Sequence, residues 1–310
     1  MPTEAHIFIE SALLPHKNQQ GVLDSIEGEM TAVGLAKTLQ KSKPHHSLYQ
    51  KARLVARDKE TEKTELPIIV IGNEAAVNEV LSGFLAVDQA QKRPVLLYPL
   101  VNGKSLDVHQ MMEALLTALN NWQITKQPMA VLTGNVPNQG NRYFLDYLQV
   151  GPDFSALLPT FNQRLVWKYA WQQFLDFWNL FSRNQDKVTF AWTLRNGHNY
   201  QHNAKTLGLQ VMVNQEGEKD PFTVRMVNQV AWPKILLTYL QGKKGRENPS
   251  RRGFITFPLD GQSDFHIRDL QRLALDGNQL ENGAYSFTLK QAGSYPILEL
   301  PVAKRDKKKK

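Results

Sequence analysis

The sequence contains no cysteine among its 310 residues. This absence excludes disulfide bonds, thiol nucleophiles and zinc sites built from cysteine ligands. The absence is compatible with a reducing compartment and does not by itself establish one.

Long apolar segments are also lacking, because no hydrophobic run approaches the roughly 20 residues of a membrane-spanning helix. The amino-terminal stretch MPTEAHIFIE has neither the basic nor the apolar region of a secretory signal peptide. With 42% hydrophobic and 21% charged residues, the composition is ordinary for a globular protein long enough to form two domains. We therefore expect a cytoplasmic protein, and attachment to the periphery of a membrane stays an open alternative.

Several common catalytic signatures are missing. The sequence has no G-x-S-x-G, H-E-x-x-H or G-x-G-x-x-G motif and no complete P-loop. His198 and His202 stand four residues apart, a spacing that would suit a metal ion on a helix. They follow the turn signal RNG between two strand-like runs, so we expect no metal site there.

Positive charge is concentrated in two segments. The net charge is +8, and residues 304–310, a lysine-rich tail, contribute five of these charges. Residues 243–252 hold five basic side chains against one acidic side chain, Glu247. Such clusters could contact anionic lipid headgroups or nucleic acid phosphates, or they could be solvated surface segments. Aromatic residues are not interleaved with the basic ones, which makes nucleic acid the least favoured partner.

The periodicity of apolar residues divides the chain near residue 127. Before it, strand-like runs (AHIFIES, LPIIVIG and RPVLLYPL) alternate with helical patterns, one of which covers residues 21–39, and this alternation predicts a mostly parallel sheet. After it, short strand-like runs separated by Gly, Asn and Asp predict an antiparallel sandwich. Two helical patterns, at residues 163–182 and 231–242, interrupt these runs.

One strand-to-helix junction has less glycine than its position would suggest. Residues 67–84 read PIIVIGNEAAVNEVLSGF, a run of β-branched residues followed by apolar residues at helical spacing. A glycine-rich loop at such a junction would hold phosphate through its backbone N–H groups. The predicted loop is GNEAA, and Gly72 is its only glycine.

The junction and the segments around it resemble the diacylglycerol kinase catalytic-domain family and its bacterial lipid kinase relatives, in order and spacing along nearly the whole chain. The first loop of that family reads G-G-D-G-T-x-N-E-V, and its second reads P-x-G-T-x-N-D. Gly72, Asn78, Glu79 and Val80 match the first loop, and Pro99 and Gly103 match the second. The resemblance places the nucleotide on two segments of this chain: Gly72, Asn73, Glu74, Ala75, Ala76 and Asn78, then Asn102 and Gly103.

The resemblance also implies an architecture. It predicts an α/β domain like those of NAD kinases and diacylglycerol kinases, with a mostly parallel sheet, at residues 1–126. A returning segment at residues 294–303 would complete this nucleotide-binding-like domain. Residues 127–293 would form a β-rich antiparallel sandwich that holds the lipid substrate, and residues 304–310 a basic tail. ATP and Mg²⁺ are the cofactors that the resemblance implies for an active protein.

The residues that carry the chemistry of the family are matched less well than the spacing of its motifs. Asn73 and Ala75 replace loop glycines and add Cβ atoms where backbone must approach phosphate. For the Mg²⁺-binding aspartates of the family, this chain offers only Asp220, which is followed by Pro221. In the late D-G-E motif, Asp276 and the following glycine match, but Asn278 stands where the family has its general base. An amide cannot accept the substrate proton, so Asp276 would have to act as the base instead, or Glu281 three residues beyond Asn278.

Three functions follow as hypotheses. The first is a lipid-kinase-fold protein whose ATP-dependent phosphorylation of a lipid hydroxyl is lost or severely weakened, and which acts by binding or regulation. The second is an active, divergent lipid kinase with Glu74 on the metal or nucleotide and Asp276 as base. The third is a polyanion or nucleic acid binder that uses the two basic segments. Oligomeric state and lipid identity stay open.

Overall fold

The computed structural model describes residues 4–15, 18–42, 47–58, 66–87, 92–100, 105–135, 141–151, 186–193, 199–228, 254–271, 273–280 and 283–300. The chain forms two compact units, Met1–Gln127 with Gly293–Lys310 and Pro128–Ala292. The domain boundaries that the resemblance implies, after residues 126 and 293, stay predictions.

The first unit alternates strands and helices. Its elements are β1 (Ala5–Ile9), a short 3₁₀ helix (Ser11–Leu13), α1 (Gln19–Ala32), β2 (Ala36–Lys41), α2 (Leu48–Arg57), β3 (Ile68–Gly72), α3 (Glu74–Leu85), β4 (Val95–Pro99) and α4 (Val108–Asn121). The strands pair in the order β2–β1–β3–β4, all parallel. The carboxyl-terminal residues of β15 (Gly283–Leu298) add a further parallel pairing on β4 through Ile297 and Leu298. This confirms the predicted parallel sheet.

The central strands are buried on both faces, as parallel strands covered by helices must be. Every residue of β1 and of β3 is buried. Apolar side chains of α1 and α4 pack on this sheet; among them are Leu23, Ile26, Met30, Met111, Leu115 and Leu119.

The helix predicted over residues 21–39 is wrong in its second half. Helix α1 ends at Ala32, where Gly34 adopts a left-handed φ of 65°. The amide of Gly34 donates to the Thr31 carbonyl and that of Leu35 to the Met30 carbonyl, which is the Schellman pattern of a helix end. Strand β2 then begins at Ala36. Gly34 is the signal in the sequence that marks this boundary.

Helices α2 and α3 pack closely through Gly83 of α3. A Cβ atom at Gly83 would lie 2.5 Å from the Tyr49 carbonyl oxygen and 2.7 Å from the Ala52 Cβ atom. We expect Gly83→Ala to lower the free energy of unfolding by about 1–3 kcal/mol, because the two helices must separate. Denaturant titration measures this change.

Gly28 of α1 provides the matched control for that substitution. It is exposed, and a Cβ atom at this position would meet no atom within 4 Å. Gly28→Ala should therefore stabilise the protein by roughly 0.5–1 kcal/mol, since alanine restricts the unfolded chain and favours a helix. Equal effects of the two substitutions would contradict close packing at Gly83.

The second unit is antiparallel. It takes in the second part of β5 (Ile124–Asn135), followed by β6 (Arg142–Phe144), β7 (Tyr147–Val150), β8 (Asp186–Thr193), β9 (Asn199–Val213), β10 (Phe222–Asn228), β11 (Phe254–Leu259), β12 (Gln262–Gln271), β13 (Leu273–Leu275), β14 (Asn278–Gln279) and most of β15. Pairings run through β13–β7–β9–β8–β12–β15, while β10 pairs with β9 and β11. A single apolar core includes Phe144, Leu148, Phe222, Phe265 and Phe287. The predicted fold class, parallel α/β followed by an antiparallel β-rich domain, is confirmed.

Two further predictions concern the length of the last strand and two helices in the second half of the chain. The runs YSFTLKQ and YPILELPV are predicted as separate strands, but β15 joins them into one strand of 16 residues. The helices predicted at residues 163–182 and 231–242 lie outside the described residues. None of the helices that the structure does describe is both long enough and apolar enough to cross a membrane.

Candidate functional site

The order of strands in the first unit locates a candidate ligand site. From β1 the chain moves to β2 on one side, and from β3 it moves to β4 on the other side. Ligands of open α/β sheets bind beyond the carboxyl ends of the strands at the point where the order reverses. Here that point lies between β1, which is followed by Glu10, and β3, which is followed by Asn73.

Three of the five residues of the predicted loop GNEAA belong to a helix, and the first belongs to β3. Helix α3 begins at Glu74, so only Asn73 separates it from strand β3. Asn73 has an extended backbone and is the N-cap: its side-chain oxygen accepts a hydrogen bond from the Ala76 amide at 3.0 Å. Asparagine is among the preferred N-caps because it satisfies one of the free amides of the first turn. The prediction of a five-residue loop here is wrong, because a good N-cap starts the helix at once.

Gly72 is needed for packing between the two strand ends. A Cβ atom at Gly72 would lie 2.8 Å from the Ala76 Cβ atom and 3.1 Å from the Glu10 Cβ atom. Its φ is not in the left-handed region. Ala76 is buried, Ala75 is half-buried and Glu74 is exposed. The matched glycine therefore serves close contact with Ala76 and Glu10.

Polar residues at the ends of β1 and β2 form a cluster that the sequence did not reveal. The Glu10 carboxylate accepts hydrogen bonds from the Ser42 hydroxyl at 2.7 Å and from the Ala12 amide at 3.2 Å. The Ser11 hydroxyl donates to the Ser42 carbonyl at 2.8 Å, and the Ser11 amide donates to the Ser42 hydroxyl at 2.9 Å. Because the sequence pattern predicts helix over most of β2, it gives no sign that Ser42 follows a strand. The cluster puts a carboxylate at the candidate site.

The best-matched residues of the first loop face the interior. Asn78 and Val80 are buried within α3. The Glu79 carboxylate accepts a hydrogen bond from the Leu48 amide at 2.8 Å, at the first residue of α2. A carboxylate at this position satisfies a free amide and interacts favourably with the helix dipole. Glu79 therefore stabilises the start of α2.

Asp276 lies in the second unit, in the two-residue turn between β13 and β14. Asp276 and Gly277 have φ values of 49° and 83°, as a tight hairpin of this Asp-Gly type requires. The side chain is 4% exposed. Its Oδ2 atom accepts from the Leu145 amide at 2.8 Å, and its Oδ1 atom accepts from the Asp146 and Tyr147 amides at 2.9 Å each. Both carboxylate oxygens hold the turn between β6 and β7.

The environment of Asp276 has opposing effects on its ionisation. Burial raises its pKa to about 6, and the three hydrogen bonds from backbone amides oppose this rise. Those bonds need an acceptor at both oxygens, so the geometry is that of a structural carboxylate.

The remaining predicted residues are dispersed. Asn278 is half-buried at the start of β14, paired with Leu275. Asp220 lies in the connection between β9 and β10, where its carbonyl accepts from the Asn214 side chain at 2.8 Å. Within the described ranges no group of three or more His, Cys, Asp or Glu side chains could hold a metal ion. Asn102, Gly103, Glu281 and both basic segments lie outside the described residues. The assignments of Asp220 to metal and of Asn278 to the base position stay predictions.

A second polar cluster lies near the amino ends of the strands. His6 of β1 is fully buried, with Nδ1 at 3.0 Å from the Thr38 hydroxyl and Nε2 at 2.9 Å from an Arg93 nitrogen. Arg93 also lies over the Phe84 ring, at 5.6 Å. Since a guanidinium can only donate, Nε2 must accept and Nδ1 carries the proton. Burial, followed by the charges of Arg93 and Lys37, lowers the pKa of His6 to about 4.

Comparison with known proteins identifies the fold. No protein-family model and no curated protein matches the sequence. A crystal structure of a diacylglycerol kinase from Bacillus anthracis strain Sterne is similar, with a TM-score of 0.57 and 12% identity over 96% of this chain and 97% of that chain. Another structure, described as a diacylglycerol kinase from the same strain, has a TM-score of 0.57 and 11% identity, over 96% of this chain and 98% of that chain.

The resemblance to diacylglycerol kinase catalytic-domain proteins predicted from the motifs is thus confirmed as a likeness of fold. It extends over nearly the full length of both chains. At 12% identity the likeness concerns the fold alone.

Proposed function

We propose that this chain is a lipid-kinase-fold protein in which ATP-dependent phosphorylation of a lipid hydroxyl is lost or severely weakened. It acts by binding or regulation in the cytoplasm, at the periphery of a membrane, with a lipid as its partner. The observation that carries the proposal is the junction of β3 and α3. There the Asn73 side chain accepts a hydrogen bond from the Ala76 amide, and no glycine-rich loop separates the strand from the helix.

A triphosphate needs free backbone N–H groups and positive charge at this junction. The Ala76 amide is already bonded to Asn73, and Gly72 lies between Ala76 and Glu10. Glu10, whose Cβ atom would lie 3.1 Å from a Cβ atom at Gly72, and the exposed Glu74 side chain add negative charge near the junction. Because phosphoryl transfer depends on positioning and on neutralising phosphate charge, these features oppose the main sources of its rate.

The proton acceptor is also compromised. An asparagine at position 278 cannot act as a base, and loss of a general base typically costs about 10²–10⁴-fold in rate. Asp276, the nearest replacement, has both oxygens bonded to backbone amides. Recruiting Asp276 for catalysis would break the turn that it holds.

Titration with ATP and Mg²⁺, followed by thermal unfolding, tests the proposal directly. We expect no shift of the melting temperature at millimolar ATP. A ligand present at a hundred times its dissociation constant would stabilise the protein by about 2.7 kcal/mol, an easily measured shift. Mg²⁺-dependent turnover of ATP that is abolished by Glu74→Ala would overturn the proposal and favour the divergent, active kinase.

The capping role of Asn73 has its own test. We expect Asn73→Ala to lower the free energy of unfolding by about 1 kcal/mol, because the Ala76 amide loses its acceptor. Ser47→Ala is the matched control, since Ser47 is the N-cap of α2 but makes no side-chain capping hydrogen bond. Urea denaturation of the three proteins compares them. Equal stability of the Asn73→Ala variant and the native protein would contradict the capping role.

A further inference from the structure

Helix α2 exposes a face that combines arginine with an aliphatic side chain. Its inner face is buried through Leu48, Tyr49, Ala52 and Val55. Its outer face consists of Gln50, Arg53, Leu54 and Arg57, all exposed. Leu54 is 67% exposed, more than any other large apolar side chain in the described part of the chain. We call these four residues the α2 outer face.

The α2 outer face is positively charged. Arg53 and Arg57 are one turn apart and project on the same side of the helix. The sequence of α2, LYQKARLVAR, contains no acidic residue. Two carboxylates lie at its ends: Glu79 is bonded to the Leu48 amide, and Asp58 follows the last turn.

We infer that the α2 outer face docks on an anionic lipid surface. Arginine side chains are attracted to anionic headgroups, with about 1 kcal/mol for each basic residue near the surface. On docking, the apolar side chain of Leu54 would move from water into the boundary between headgroups and acyl chains. Without a partner it stays exposed to water. A nucleic acid would find no aromatic side chain on this face for stacking.

The α2 outer face by itself is not a complete anchor. Two basic residues and one leucine bind a membrane weakly and reversibly, because stable attachment needs more than one signal. The inference rests on the proposed function only for its choice of a lipid as partner.

The first experiment measures binding of the full chain to vesicles of phosphatidylcholine, with and without phosphatidylglycerol, by cosedimentation without nucleotide. Arg53→Glu/Arg57→Glu should weaken binding to the anionic vesicles by about tenfold or more. Lys126→Glu/Lys290→Glu changes the net charge equally at two exposed lysines elsewhere and is the control. Circular dichroism and thermal unfolding check that each variant folds.

The absence of cysteine permits a second, site-specific measurement. In Leu54→Cys the new thiol is the only one in the chain, so a polarity-sensitive dye can be attached at this single position. We expect its emission to shift to the blue with anionic vesicles. Val33→Cys, at the exposed valine that is the C-cap of α1, is the control and should show no shift.

Selective loss of vesicle binding in the arginine variant, together with a shift at position 54 alone, supports the inference. Equal loss in both charge variants, or no loss in the arginine variant, overturns it. A dye at position 54 whose emission does not shift with anionic vesicles also overturns the inference. If the arginine variant loses affinity for a DNA oligonucleotide and keeps its affinity for vesicles, the partner is a nucleic acid instead. ATP is absent from these measurements, so failure of the docking surface is distinguishable from failure of the proposal about catalysis.

Discussion

Replacing Asp276 by alanine is expected to lower the free energy of unfolding of the antiparallel unit by about 3 kcal/mol or more. Three backbone amides would lose their acceptor, the buried amide of Leu145 and the partly buried amides of Asp146 and Tyr147. A fully buried donor left unpaired costs about 1–3 kcal/mol, and a partly buried one costs less. Alanine would also be strained at the left-handed φ of this turn. Chemical denaturation followed by circular dichroism measures the loss.

Asp276→Asn is the more selective version of the same test. Asn-Gly suits this type of turn as well as Asp-Gly, so the backbone is undisturbed. The amide nitrogen would, however, face one of the three donors, and we expect destabilisation by about 1–3 kcal/mol. Gln279→Glu, the reverse change at an exposed position nearby, should stay within about 0.5 kcal/mol of the native protein.

The two roles considered for Asp276 make opposite predictions. A structural carboxylate loses stability in Asp276→Asn. A catalytic base would lose turnover of ATP while the stability of the protein stayed unchanged. Native stability in this variant would therefore contradict a structural role for the carboxylate.

Acidification is expected to destabilise the first unit through His6. Its pKa is about 4 in the folded protein against an ordinary value of 6.5, so the unfolded chain takes up the proton first as the pH falls. The contribution of neutral His6 to the free energy of unfolding is complete above about pH 6.5 and is lost progressively as the pH approaches 4. The difference between these two pKa values corresponds to about 3 kcal/mol.

The measurement must compare variants, because Asp276 acts in the opposite direction. Its raised pKa of about 6 means that the folded protein binds a proton first, and stability increases as the pH falls from 6 toward 4. In the difference between the native protein and His6→Gln this contribution cancels. We expect that difference to change by about 3 kcal/mol between pH 7 and pH 4.

His109→Gln removes an exposed imidazole on α4 and serves as the matched control. Its free energy of unfolding should follow that of the native protein within about 0.5 kcal/mol at every pH. A difference for His6→Gln that is independent of pH would show that folding does not lower the pKa of His6.

The proposed loss of catalysis draws on structural details that occur together. Asn73 caps the helix directly after β3, the carboxyl edge of the sheet carries the Glu10 carboxylate, and both oxygens of Asp276 hold a turn. Each of these side chains has a role in stability. A fold can be kept by such roles when the chemistry that it once supported has gone, because packing and capping are satisfied locally.

Several elements could be predicted from the sequence because their signals are local. The β-branched run before Gly72 predicts a buried parallel strand, and the periodicity of VHQMMEALLTALNNW predicts α4. The change in pattern near residue 127 predicts the second unit. Strand β2 escapes prediction because AKTLQK has little apolar alternation, and it forms where β1 offers a free edge for pairing.

The pattern of residues along the chain is enough to give the order of most described elements, the resemblance in motif spacing, and the lack of glycine directly after β3. These depend on side chains close together in the chain. The contacts of the matched motif residues, by contrast, become visible in the folded structure. Glu79 bonds the start of α2, 31 residues away, and Asp276 bonds amides 129–131 residues away. Hydrogen bonds and close packing between distant segments leave no local pattern in the sequence. The same motif residues are therefore compatible with a catalytic site or with a structural one until their contacts in the folded protein are known.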